Sequence, residues 1–447
     1  MCKKISSLTS GNIALAIFNF AWPVFLSSIF SELYNVTNSM IVGNYISLKA
    51  LSAVSACTWI CNIFNYAFFG LGMGAGIIVA KYYGAKDEKN LKRSLDSVMV
   101  FAIVAGVSIT ILAQLFLPQL MRISNIGPDI YADARSYLRV YFLGCTAVLT
   151  YQMCFFILRS FGDTRHQLYF SIIGSISNVI LGVIFVRFMH MDVIGTSLAT
   201  IISQFIMDVL VIRLLINYDE VSFDFNNIDF SFDTVKSICM LGIPAAFQNL
   251  LIALSSMMVQ SYVNEFPNAV IAGIGVGEKI TNWAQMFSVA VSSATMSLVA
   301  QNMGAKNYER VKDSVKESLK ISSLFTLLSI LLIFMAAPFL VSRFNSDIET
   351  ISIGTRLIRY SISGIFFVNL SHVFNAACRG AGNVRIPMYI AIIGQVLTKF
   401  FFVYFGLKIN HDVHVLFFAT ATGYTCAGLL ATLYFFTSKW VKNNHLR

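Results

Sequence analysis

Long stretches without a single Asp, Glu, Lys or Arg dominate this chain. They run 5–31, 33–48, 50–80, 97–121, 140–158, 166–186 and 193–207, then 237–264, 280–305, 321–342, 360–378, 386–398 and 413–438. A helix needs about 20 apolar residues to cross the hydrocarbon of a bilayer, and there it must satisfy its backbone polar groups internally. Merging runs broken by one charge predicts twelve spanning helices, at 13–37, 51–80, 95–119, 132–158, 167–187, 193–216, 237–262, 270–301, 318–342, 353–378, 386–407 and 413–437. The expected fold class is therefore all-α integral membrane. Only 12% of the residues are charged, about half the share in soluble domains, which excludes a string of such domains as well as disorder. The eight cysteines form no secretory framework and read as reduced filler, Cys57 and Cys61 lying one helical turn apart in an apolar run. The first apolar run extends past signal-peptide length, so no cleaved leader is expected.

Twelve crossings place both termini on one side, and the basic residues say which. One side collects 21 Lys and Arg, in clusters such as Lys81–Arg93 and Lys306–Lys320, against 9 on the other. By the positive-inside rule both termini are cytoplasmic. The net charge of +10 is spread over short loops, a pattern that suits anionic lipid rather than nucleic acid.

A shift of 220 residues lays the chain on itself. Gly84-Ala85-Lys86 falls on Gly304-Ala305-Lys306, Lys92 on Lys312, Pro118 on Pro338 and Arg139 on Arg359. Arg159, Gly162 and Arg165 fall on Arg379, Gly382 and Arg385, and Asp192-Val193 and Ala199-Thr200 on Asp412-Val413 and Ala419-Thr420. Six of the matched pairs are charged, which chance similarity between apolar helices does not produce. An even number of helices per copy gives both copies the same orientation, with a cleft expected between two pseudo-symmetric six-helix lobes. The lobes are read as 1–216 and 237–447, joined by a polar, acidic cytoplasmic linker at 217–236. Such an architecture suits a carrier that opens to each side in turn.

Ala21-Trp22-Pro23, Leu33-Tyr34-Asn35 and Val42-Gly43 open the chain, and Gly70-Leu71-Gly72 with Gly74-Ala75-Gly76 precedes Tyr83-Gly84-Ala85-Lys86. Leu158-Arg159-Ser160-Phe161-Gly162-Asp163 and Cys378-Arg379-Gly380-Ala381-Gly382 follow the fourth and tenth helices. In order and spacing the chain resembles the multidrug and toxic compound extrusion (MATE) family, bacterial branch. That resemblance implies a bacterial plasma-membrane antiporter exporting small organic, often cationic, compounds in exchange for H⁺ or Na⁺. It implies no cofactor beyond the coupling ion, no enzymatic activity, and a monomer. It also locates an amino-terminal cation site at Asn38, Asn178 and Thr200. The acids many relatives carry there are replaced by Asn38 and Gly182, and Asn and Thr oxygens alone hold a bare monovalent ion weakly.

Ionisable side chains at membrane depth cost a few kcal/mol and are functional candidates by default. Glu32, beside Tyr34, is a candidate proton or cation site, or else an acid at an aqueous mouth. His372, seven residues before Arg379, has the ordinary titration range for reversible protonation, or is hydrogen-bonded filler. Lys399 either holds an acidic substrate group or neutralises Glu278, itself a candidate for substrate or proton. Asp208, late in its helix, reads as solvated. Aromatic residues such as Trp59, Phe64, Trp283 and Phe287 suit flat cations but are common in any membrane helix. Pro23 and Pro244, each early in the first helix of its lobe, are the expected hinges, or else static kinks.

One H⁺ or Na⁺ entering down 100 mV supplies about 2.3 kcal/mol, and no phosphate-binding loop or His-Glu-x-x-His is present. Two alternatives remain at this stage. One is a lipid-linked oligosaccharide flippase of related fold, which wants a more basic cleft. The other is a membrane enzyme acting on lipid, whose nearest feature is His411-Asp412-x-His414.

Overall fold

The computed structural model describes residues 8–124, 126–218, 228–410 and 412–438. Among these residues there is no strand. The helices fall where the uncharged runs predict them. In chain order they are α1 (Ile13–Tyr45), α2 (Leu48–Ala85), α3 (Glu88–Leu115), α4 (Pro128–Leu143 with Cys145–Ser160), α5 (Thr164–Phe188) and α6 (Asp192–Ile216). The second set is α7 (Phe232–Val263), α8 (Asn268–Gly304), α9 (Tyr308–Ser342), α10 (Ile348–Gly380), α11 (Arg385–Ile409) and α12 (Val413–Thr437). The span expected at 132–158 is bent by 50° at Gly144, where a Cβ would meet the Ile201 side chain of α6 at 2.4 Å. A π-helical stretch ends α5, at Ile184–Phe188, and another interrupts α11, at Ile392–Thr398.

Polar residues punctuate the helices as their chemistry dictates. Side-chain oxygens of Ser47, Asp87, Asp163, Asn307, Asp347 and Asp412 accept backbone N–H groups at helix starts, satisfying donors that helical bonding leaves over. Here the duplication reappears in the backbone. Lys86 and Lys306 both take left-handed conformations (φ 54° and 56°), and so do Gly162 and Gly382 (φ 82° and 89°). Asp87 and Asn307 cap α3 and α9 in the same way.

The chain divides into two compact units, and the division does not fall in the 217–236 segment. Among the described residues, one unit holds Leu26–Ala246 and the other holds Leu8–Phe25 with Phe247 onward. The chain thus changes unit inside α1 and inside α7, within a turn after Pro23 and Pro244, and neither proline ends its helix. Linker residues 219–227 lie outside the described set.

In the first unit, the glycines of the Gly70–Gly76 stretch sit where backbones touch. A Cβ on Gly70 would lie 2.6 Å from Ala246 N, and one on Gly74 would lie 2.5 Å from Ile238 O, both on α7. Gly72 and Gly76 make the same room for Phe156 of α4. Small residues of this kind let membrane helices pack backbone to backbone, where no hydrophobic force distinguishes protein from lipid. The segment leading into α7 is tied to α3: Arg93 Nε donates to Asp229 at 3.0 Å, and the N–H groups of Asp229 and Ser231 donate to Asp96 and Ser97.

In the second unit, the segment leading into α1 is tied to α9 by Arg310, which donates to the carbonyls of Leu8, Ser10 and Gly11 at 3.2, 2.8 and 3.0 Å. Asn302 also reaches Leu8 O. Ile17, Phe20, Ala21 and Val24 pack with Phe287, Val291 and Leu298 of α8. Deeper in the bundle, Ser288, Ser322 and Asn369 join α8, α9 and α10 through buried hydrogen bonds. On α9, Leu324, Leu328, Leu332 and Met335 are exposed, an apolar stripe of the kind that faces lipid.

Candidate functional site

The structure brings the family cation-site positions of the first unit together. Asn178 of α5 is fully buried, and its Nδ2 donates to Thr200 Oγ1 at 3.3 Å and Ser203 Oγ at 3.2 Å on α6. Tyr34 of α1 meets Thr200 Oγ1 at 3.2 Å, and Asn38 lies one turn beyond Tyr34 on the same helix. Asn178 Oδ1 is buried without a hydrogen-bond partner. The cluster therefore offers neutral oxygens and no carboxylate. Beside it Tyr137 and Tyr141 stack with ring centroids 6.3 Å apart. Ser203 and Tyr34 were not singled out as ligating groups from sequence, since a serine or tyrosine in an apolar helix gives no signal until its neighbours are known.

Glu32 is not part of this cluster. Its side chain is exposed and makes no hydrogen bond or ion pair with a described residue. Asp208 corrects the sequence reading in the opposite direction. It is only 4% exposed, not solvated, because α6 turns that face into the unit beside Met207, whose sulfur fills the space at Gly174. Asp208 Oδ1 has no hydrogen-bond partner, and one turn earlier Gln204 Oε1 is likewise unpartnered. Among the described residues, no cation lies within ion-pair distance of Asp208.

In the second unit, Glu278 of α8 and Lys399 of α11 line one cavity of about 80 Å³. Thr281, Ser361, Thr420 and Tyr424 contribute hydroxyls to its wall. Thr281 and Ser361 donate back to carbonyls of their own helices, which leaves their lone pairs for the cavity. Glu278 and Lys399 are both half-buried and do not form the direct ion pair that would make them merely structural. Lys279 points outward and is exposed. His372 of α10 is half-buried and makes no hydrogen bond to a described residue. Arg379, seven residues on, donates to Gln248 Oε1 at 2.7 Å, as its repeat partner Arg159 does to Gln167 at 2.9 Å.

Several wall residues of this cavity correspond in the repeat to residues of the first unit's neutral cluster or beside it. The 220-residue shift sets Thr420 on Thr200, Leu357 on Tyr137, Ser361 on Tyr141 and Lys399 on Val179, the neighbour of Asn178. Two phenol rings in one copy are thus a leucine and a serine in the other, while Tyr424 stands where the first copy has Gln204. The repeat was the signal by which sequence reasoning reaches these wall residues.

The remaining motif has a structural explanation. Asp412 Oδ1 accepts from the N–H of His414 and meets its Nδ1 at 2.7 Å, fixing the start of α12, while His411 lies outside the described residues. Among the described residues no group of His, Cys, Asp and Glu is placed to hold a metal ion.

The MatE family profile matches residues 23–184 and 244–405, well over half of the chain. The chain belongs to the MatE family. Each matched stretch begins on a proline, Pro23 or Pro244, and covers the corresponding part of one repeat. A probable multidrug resistance protein, YoeA of Bacillus subtilis (strain 168), is 24% identical over 83% of this chain and 82% of its own length. A probable multidrug resistance protein, NorM of Thermotoga maritima, is 24% identical over 94% of this chain and 92% of its own. Among solved structures, a crystal structure of MATE in the straight conformation superposes with a TM-score of 0.91 at 20% identity, covering 100% of both chains. The protein is thus a multi-pass membrane transporter of the MatE family, not an enzyme, with the fold of the MATE transporters.

Proposed function

We propose that this MatE-family protein is a secondary active exporter of organic compounds driven by protons rather than Na⁺, working by alternating access in the bacterial plasma membrane with both termini cytoplasmic. The multidrug names of its relatives support the cargo class. The observation that carries proton coupling is Asp208. A carboxyl group 4% exposed, with one oxygen unpartnered and, among the described residues, no cation at ion-pair distance, has neither solvent nor counter-ion at membrane depth to balance a charge, and a proton is the partner it can take there. Tyr151 and Cys154 of α4 both feel the charge of Asp208, and neither supplies a positive charge; Arg159, whose charge also reaches Tyr151, donates instead to Gln167. Two further observations disfavour Na⁺. The Asn178–Thr200 cluster offers neutral oxygens alone, and the second unit's cavity already holds the ammonium of Lys399, which repels a second cation.

Efflux of a fluorescent organic dye from proteoliposomes, under an imposed H⁺ or Na⁺ gradient one at a time, tests this reading. Uphill efflux is expected with the H⁺ gradient alone. Asp208→Asn, which mimics the neutral acid and keeps the fold, should retain downhill exchange and lose most proton-driven accumulation. Efflux driven by Na⁺, or full proton-driven efflux by Asp208→Asn, would overturn it.

A further inference from the structure

The cavity of the second unit holds two opposite charges that do not neutralise each other by contact. Glu278 and Lys399 line the same space, and neither makes a hydrogen bond or ion pair with a described residue. A lone cation in the cavity would be drawn to Glu278 and repelled by Lys399; a lone anion would meet the reverse. One ligand class satisfies both walls at once. We infer that this cavity is a binding site for a small zwitterion, its ammonium facing Glu278, its carboxylate facing Lys399, and the hydroxyls of Tyr424 and Thr420 taking the remaining polar contacts.

Size narrows the ligand further. A cavity of about 80 Å³ holds more than one water, whose share of liquid is about 30 Å³. It is far smaller than drug pockets of about 300–1,000 Å³. The fit is a molecule with its two charges a few bonds apart. The duplication supports a selective site rather than an accident of packing. At the matching positions of the first copy the residues are neutral, with Thr58 where Glu278 stands and Val179 where Lys399 stands. The second copy alone carries one charge of each sign at these positions, and a site with both signs disfavours singly charged competitors by like-charge repulsion. This inference names a cargo class for the exporter proposed above and rests on that reading.

The test uses the full chain in nanodiscs, with ligand binding followed by saturation-transfer NMR. The probes are 4-aminobutanoate and its singly charged analogues of similar length, pentylamine and pentanoate. The zwitterion should bind at least about tenfold more tightly than either analogue, a modest demand on a site that pairs both charges. Lys399→Gln should shift preference to pentylamine and Glu278→Gln to pentanoate. The double exchange Glu278→Lys with Lys399→Glu should restore preference for the zwitterion. Equal binding of the three probes to the wild-type chain, or binding indifferent to all these variants, would overturn the inference while dye efflux stayed intact. Loss of dye efflux with the binding order preserved would instead overturn the exporter reading and leave the site standing.

Discussion

Adding one methyl group at Gly74 should separate two helices that now touch through their backbones. A Cβ there would lie 2.5 Å from Ile238 O, 2.9 Å from Gly242 N and 3.2 Å from Gly242 Cα. None of these atoms ends a flexible side chain, so α7 must retreat from α2. Relieving the overlap takes roughly 0.5–1 Å, a gap that forfeits about a quarter to a half of the dispersion energy of each contact it opens. Overpacking of this kind costs about 1–3 kcal/mol, while replacing Gly by Ala in a helix returns at most about 1 kcal/mol. Gly74→Ala should therefore be destabilised by about 1–2 kcal/mol. The control is Gly275→Ala on α8, where a Cβ meets nothing within 4 Å and the helix gain stands alone. Thermal unfolding in detergent, read by a dye that reacts with thiols as they emerge, suits a protein whose Cys57, Cys61, Cys145 and Cys154 are all buried. Gly74→Ala should unfold several degrees below wild type and Gly275→Ala at or above it. If Gly74→Ala matched its control, the backbone contact between α2 and α7 would not be the reason for glycine at that position.

Two further outcomes follow from single contacts. Arg310→Ala removes donors from the carbonyls of Leu8, Ser10 and Gly11; at about 1–3 kcal/mol for hydrogen bonds of a charged group, hydrogen exchange in residues 8–16 should quicken roughly ten- to hundredfold. Lysine at that position should recover only part of the protection, since it lacks the fork, and unchanged exchange in the alanine variant would refute the tie. Asp163, outside the membrane spans, should make stability depend on pH: burial opposes its ionisation, but the side-chain hydrogen bonds from His166 and Tyr218 and the charge of His166 outweigh this and hold its carboxyl below the usual range. A lowered folded value means that the stabilisation is complete above the ordinary value of about 3.9 and is lost as pH falls through the folded one. Asp163→Asn, which still caps α5, should lower the unfolding temperature at pH 7 and make little difference near pH 2; a gap independent of pH would refute the charge's role.

The helices, their number and the duplication were legible in the residues because both signals are local or additive. An uncharged run of membrane length has one stable conformation in lipid, and a six-residue coincidence of charges at one spacing survives any packing. The positions Asn178 and Thr200 were likewise readable, and the fold joins them by a hydrogen bond through Asn178 Nδ2. Burial was not readable. Asp208 and Glu32 are both acids in apolar helices, yet one faces its unit's interior and the other is exposed, a matter of helix rotation that neighbouring helices decide. Pro23 and Pro244 marked their helices, but nothing in the residues said that the chain changes unit just after each.

Composition and periodicity by themselves determined that this chain crosses a bilayer as two related sets of helices, because the cost of an unsatisfied backbone or a bare charge in hydrocarbon leaves no other option. Only the tertiary structure decided that Asp208 is buried while Glu32 is exposed, and that Glu278 and Lys399 line one cavity. That outcome depends on how side chains from five separate helices surround a shared volume, and volume is a property of packing that no single segment carries.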